Sequence, residues 1–139
     1  RQMFIGSGAL WGETILFSMC ILEEMQWKRT RYITSADFFH GTLELVEPGV
    51  PVFLFMGEDE NRKLDERVRA FLTRGVTGDT DINVIDTAEF AIPGLDDEFR
   101  VIVSPWILSS LITDRLAAYY ETVTKHNLKY RRYYHQFDY

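Results

Sequence analysis

The chain has 139 residues, 46% hydrophobic and 14% aromatic, and carries a net charge of −6. That supplies one domain with a real core and argues against a disordered segment. The acidic balance disfavours nucleic acid as the main partner, since phosphate backbones are held by clustered Lys and Arg. The single cysteine, Cys20, lies in an apolar helical pattern. It excludes an internal disulfide framework and suits a reducing compartment, so the cytoplasm is the expected location. No apolar run approaches the length that spans a bilayer and no signal-peptide pattern opens the chain, so no membrane partner is expected. The chain begins at Arg1 and turns at once into strand-like sequence, which is the expectation for a domain cut from a longer chain.

Residues 3–5 read as a buried strand entering the glycine-rich turn GSGALWG, and 12–27 as a helix apolar on most sides. A short strand is expected at 31–34, with Ser35 as the N-cap of a helical turn carrying Asp37, Phe38, Phe39 and His40. After the turn EPGV, residues 51–56 form a continuous apolar strand of the kind buried on both faces. Leu64, Val68, Phe71 and Leu72 fall at helical spacing among charges and predict an amphipathic helix over 60–73. A strand follows at 83–86, and 100–103 is either a short extended segment or the lead into a helix. Leu108, Ile112, Leu116, Tyr119 and Val123 then recur at helical period within 106–125. Strands alternating with helices imply a parallel, doubly wound α/β sheet. Ligands on such sheets bind beyond the carboxyl ends of the strands, where GSGALWG and ITSADFFHG are expected. The tail KHNLKYRRYYHQFDY is basic and aromatic without an apolar period, and reads as a segment wrapped over a surface.

Gly6, Gly8 and Gly12 give G-x-G-x-x-x-G, one residue longer than the dinucleotide fingerprint, and Asp37 falls too late to hold a ribose. The turn is then either a tight strand-to-helix connection or a place where backbone N–H groups and Ser7 face a polar ligand. His40, His126 and His135 lack ligand spacing, there is no G-x-S-x-G, and Cys20 is mid-helix with no base in sight. No metal or redox cofactor is expected. The glutamates carry more chemistry. On an α-helix Glu24 shares a face with Phe17, Cys20, Ile21 and Trp27, and Glu23 lies beside Leu16, Met19 and Trp27. At least one carboxyl group is then expected against apolar neighbours, where burial favours the protonated form that a proton carrier near neutral pH uses. Two glutamates at a solvated helix end are the plainer alternative, and a packed, hydrogen-bonded residue is the plainer one for His40. Periodicity does not choose between Glu23 and Glu24, nor pair either with His40.

EMQW, SADFFHG, the E-x-V-E-P-G-V-P turn with its FLF strand, DERVRAFL and the ending RRYYHQFDY occur in an order that resembles the SIS (sugar isomerase) domain family. The likeness is to the second SIS domain of the fructosamine 6-phosphate deglycases, which act on fructoselysine 6-phosphate or fructose-asparagine 6-phosphate. The resemblance implies a flavodoxin-like SIS domain over 1–125, the C-terminal one of a two-SIS chain. It also implies a tail over 126–139 packed on the domain or on a neighbouring subunit. In that family, and in the isomerase half of glucosamine 6-phosphate synthase, a helix-end glutamate and a histidine sixteen positions later form the catalytic pair. Glu24 and His40 have that spacing and Glu23 does not. The family's G-E-x-x-H-G-like motif reads here Ala36-Asp37-Phe38-Phe39-His40-Gly41, so Ala36 and Asp37 depart from it.

The implied function is cleavage of a phosphorylated fructosamine to glucose 6-phosphate and free amine, without a cofactor. Ser7 and Arg132 are candidate substrate-binding residues, and Arg131 either touches substrate or pins the tail. The family's S-x-S-G-x-T phosphate loop does not occur in this chain and is expected in a missing N-terminal SIS domain. The expected partners are that domain, a sugar-phosphate substrate and further copies of the chain in a homo-oligomer. Two alternatives are an aldose–ketose isomerase or aminotransferase isomerase domain, and a non-catalytic sugar-phosphate-sensing module of a regulator.

Overall fold

A computed structural model describes residues 1–75 and 77–138. The chain alternates strand and helix: β1 (Gln2–Gly6), α1 (Trp11–Ile15, continuing as a π-helix over Leu16–Met25), β2 (Thr30–Ile33), α2 (Ser35–Phe38), β3 (Val52–Met56), α3 (Arg62–Leu72) and β4 (Ile82–Asp86). A last helical run comprises α4 (Arg100–Ser109), a π-helical stretch over Ser110–Leu116, and α5 (Ala117–Thr124). All four strands are parallel, in the order β2-β1-β3-β4. The order reverses between β1 and β3, as in a flavodoxin-like doubly wound sheet.

Alternation along β1 explains the two layers. Phe4 faces a cluster with Phe55 of β3 and with Phe17, Leu22, Leu108 and Ile112 from α1 and the C-terminal helices. Met3 and Ile5 face the other cluster, with Leu54 of β3 and with Phe38, Val68 and Leu72 from α2 and α3. The central strands are covered on both faces, which is why their sequences read as unbroken apolar runs. Phe4 stacks on Phe53 at 4.9 Å and meets Phe17 edge-on at 5.6 Å. Each fully buried side chain of this size contributes roughly 1.5–3 kcal/mol.

Two local expectations are corrected, and a choice left open at 100–103 is settled. The cap of α2 is Thr34, whose side chain accepts from Asp37 N, and Ser35 is the first helical residue. The segment at 100–103 is helical, because α4 starts at Arg100 and continues through Pro105. Ser104 Oγ donates to Val101 O at 3.1 Å, serving the carbonyl that the missing Pro105 N–H leaves free. The helical run Asp97–Thr124 is thereby 28 residues long, and by length and composition alone it is long and apolar enough to cross a membrane, against the expectation that no apolar run has that length. Leu108, Ile112 and Ala117 on this run are buried in the domain core, while Ile102, Trp106, Tyr119 and Val123 are exposed.

Candidate functional site

The end of α1 is where the chain departs from regular α geometry. Gln26 N donates to Ile21 O at 3.1 Å, a five-residue closure, and Trp27 follows with a left-handed backbone, φ 53°. A bulky residue there costs on the order of 1–2 kcal/mol and persists only where its surroundings hold it. Those surroundings are the C-terminal tail. Gln26 is buried; its Nε2 donates to His126 O at 2.6 Å and its Oε1 accepts from Thr124 Oγ1 at 2.8 Å. The Trp27 ring meets His126 edge-on at 4.4 Å, and the Arg132 guanidinium lies 4.3 Å from the Trp27 ring centre. The EMQW run thus grips the tail with consecutive side chains.

The two glutamates part company here. Glu23 accepts from Thr30 Oγ1 at 2.5 Å, tying the helix end to the start of β2. Glu24 Oε1 pairs with Arg131 Nε at 2.8 Å, both side chains being about a quarter or less exposed. Glu24 therefore meets a cation rather than the apolar wall expected from α-helical spacing. The π-helical turn is the reason: it re-phases the face, and the buried stripe runs through Phe17, Ser18, Ile21 and Leu22. Burial pushes the Cys20 thiol up from its ordinary value, and the nearby Glu24 charge adds to this.

Between the helix end and the tail lies a cleft of about 830 Å³. Its walls carry four cationic side chains (Lys28, Arg29, Arg131, Arg132) against Glu23 and Glu24, with Trp27, Tyr133, Tyr134 and Phe137 beside them. In an acidic chain this is a locally basic, aromatic-walled space, suited to an anionic polar ligand. Because α1 runs back from the carboxyl end of β1, the cleft sits at the amino end of the sheet, where β2 begins. That is opposite to the position expected from the general rule for parallel sheets.

The carboxyl end looks different. Asp59 Oδ2 accepts from Ala9 N at 2.5 Å, so the chain's own carboxylate takes a donor of the glycine turn. A side chain at Gly8, φ 53°, would collide with the same carboxylate. Ser7 is buried and its Oγ accepts from Ser35 N at 2.7 Å, joining two turns rather than facing a ligand. The neighbouring space of about 520 Å³ is lined by Glu58, Asp59 and Glu60, an unsuitable environment for phosphate. His40 follows α2, exposed, its N–H donating to Asp37 O at 2.9 Å. It belongs to the α2–α3 layer, opposite the α1 layer that carries Glu24.

Of the four residues singled out from sequence, the fold brings Glu24 and Arg132 to one cleft; Ser7 and His40 lie elsewhere in the chain. Gln26 and Trp27 had no role assigned beyond membership of EMQW, and Arg131 was not paired with Glu24. A buried-type glutamine and a tryptophan beside a glutamate, opposite an Arg-Arg pair in an aromatic tail, were the available signals. Among the described residues, no cluster of three or more His, Cys, Asp or Glu could hold a metal ion.

No family model matches the chain. It is 32% identical over 132 residues to a fructosamine deglycase of Bacillus subtilis (strain 168), covering 93% of this chain and 38% of that protein. It is 36% identical over 116 residues to the fructoselysine 6-phosphate deglycase of Escherichia coli (strain K12), covering 81% of this chain and 31% of that protein. The crystal structure of a proposed phosphosugar isomerase from Bacillus subtilis superposes with a TM-score of 0.87 at 29% identity, over 99% of this chain and 40% of the other. The chain thus spans well under half the length of the relatives it matches.

Proposed function

Because the chain is a SIS (sugar isomerase) domain resembling the fructosamine deglycases, we propose that it contributes the proton-transfer half of an enzyme that cleaves a phosphorylated fructosamine. The observation that carries this reading is the placement of Glu24 in the wall of a roomy basic cleft, while Glu23 is engaged by Thr30. An Amadori compound carries an amine on C1 and a ketone at C2. The Glu24 carboxylate takes a C1 proton, the C1–H electrons form the C1=C2 bond, and the C2 oxygen gains a proton to give an enaminol. The Glu24 carboxyl group then returns its proton to C2 as the nitrogen lone pair forms the C1=N bond. Water adds at C1, and collapse of the carbinolamine releases the amine and glucose 6-phosphate. One carboxyl group alternating between base and acid serves both transfers.

In this proposal His40 opens the sugar ring or moves protons at O5, and it does so from a second copy of the chain, since in one chain it lies in the layer opposite Glu24. The phosphate is held by a preceding SIS domain, and acidic Glu58, Asp59 and Glu60 are consistent with a phosphate site outside this chain. Supplied with fructoselysine 6-phosphate, the intact protein is expected to release glucose 6-phosphate, read by a coupled dehydrogenase. Glu24→Gln lowers turnover by about 10²–10⁴-fold, the usual worth of a positioned general base. Undiminished turnover in a folded Glu24→Gln protein refutes the assignment. The similarity to a proposed phosphosugar isomerase favours one alternative, aldose–ketose isomerisation by the same glutamate. Fructose 6-phosphate turnover without release of any amine distinguishes it.

A further inference from the structure

We propose that Arg131 is a positioning residue for Glu24, and that the C-terminal tail is the rigid arm that holds it. The inference rests on the reading of Glu24 as the proton carrier. The Arg131 Nη1 donates to Leu128 O at 2.7 Å and to Tyr130 O at 2.9 Å. With Nη1 bound to the tail backbone, the Nε edge of the guanidinium forms an ion pair with Glu24 Oε1 at 2.8 Å. The planar guanidinium therefore transfers the geometry of the tail to the carboxylate, which a flexible ammonium cannot do. Among the described residues Glu24 Oε2 takes no hydrogen bond, so one oxygen is held and the other is left for a substrate proton.

The arm itself is anchored independently of the ion pair. Gln26 holds the backbone at His126, His126 packs on Trp27, and Arg132 lies over the same indole. These anchors come from the two residues that follow Glu24 by two and three positions, so helix end and tail form one closed unit. The partial burial of both charges distinguishes the pair from a solvated surface ion pair, whose worth is small. A carboxylate misplaced by about 1 Å costs on the order of 10²-fold in a proton transfer.

The test uses the intact protein with fructoselysine 6-phosphate and three variants, Arg131→Ala, Arg131→Lys and Glu24→Gln. Arg131→Ala is expected to lower kcat on the order of 10²-fold with KM little changed. Added guanidinium, at concentrations that leave the parent protein folded, restores much of that kcat in Arg131→Ala and nothing in Glu24→Gln. Arg131→Lys loses kcat although it keeps the charge. The inference is overturned if both Arg131 variants keep their kcat, if kcat rises (a latch rather than a guide), or if the loss appears in KM. Failure of guanidinium to rescue a folded Arg131→Ala protein also overturns it. Should Arg131→Ala not fold, the split between kcat and KM in Arg131→Lys decides alone. An inert Glu24→Gln with unimpaired Arg131 variants removes this inference only; an active Glu24→Gln removes the proposed function itself.

Discussion

Asp65 offers a quantitative test of how the crossover turns are held together. It is fully buried in α3; Oδ1 accepts from Ser35 Oγ at 2.5 Å and Oδ2 from Gly57 N at 3.2 Å. It thus ties the end of β3 to the turn after β2, which in turn is tied through Ser35 N to Ser7 after β1. Burial is the largest influence on its carboxyl and outweighs the two hydrogen bonds, pushing the pKa from 3.8 up to about 6. A folded pKa above the unfolded one means that the folded state binds the proton more tightly. Stability from this group is therefore full below about pH 4 and declines as pH rises through 4 to 6. A shift of about two units corresponds to roughly 3 kcal/mol. Asp65→Asn reproduces the protonated form: its carbonyl accepts from Gly57 N–H and its amide donates to Ser35 Oγ. The variant is expected to match the parent near pH 4 and to exceed it by up to about 3 kcal/mol at pH 7.5. Urea unfolding followed by tryptophan fluorescence across that range measures the gap. A gap that does not change with pH, or a variant less stable throughout, refutes the reasoning.

Gln26→Ala removes both hydrogen bonds that fix the exit of α5, leaving the His126 carbonyl without its donor at a cost of about 1–3 kcal/mol. Trypsin cleavage at Arg131 and Arg132 is expected to quicken in native conditions; an unchanged rate contradicts the clasp. A site shared between two copies, as proposed for Glu24 and His40, predicts complementation. Glu24→Gln and His40→Gln proteins, each inactive alone, regain about a quarter of parental turnover when mixed and exchanged, because half the dimers are mixed and each has one intact site. Activity no greater than the sum of the separate variants rules out sharing of the pair between copies.

The architecture was legible because it depends on patterns that survive in one dimension. The apolar run at β3, the alternation of strands with helices and the charged amphipathic α3 each report a periodicity, and the sheet follows from them. The failures lie where local geometry departs from those periods. Pro105 carries no N–H, yet Ser104 serves the freed carbonyl and the helix, one of two readings open for 100–103, passes through it. Thr34 and Ser35 are equally good caps on paper, and the choice fell to Thr34 because Ser35 is drawn inward to Asp65. The apolar face assigned to Glu24 assumed an α-helix, whereas Leu16–Met25 is π-helical. No sequence period announces that change.

The glutamate–histidine spacing shows the same limit at the site. Sixteen residues within a strand–helix crossover comprise the end of one helix, an entire strand and a second helical turn. Right-handed crossovers on a doubly wound sheet place successive helices on opposite faces whenever the strand order reverses, as it does between β1 and β3. A fixed spacing across such a unit therefore encodes two separate surfaces rather than one constellation. Glu24 faces a cleft closed by the chain's own tail, and His40 is exposed on the other layer, where nothing in the same chain covers it among the described residues. Under the proposed function the two surfaces form one site through a second copy, in which each chain supplies what the other lacks. The tail clasp then has a reason to be rigid: a carboxylate that must meet a histidine from elsewhere cannot rely on its own helix alone to aim it, and Arg131 fixes that aim from within the chain.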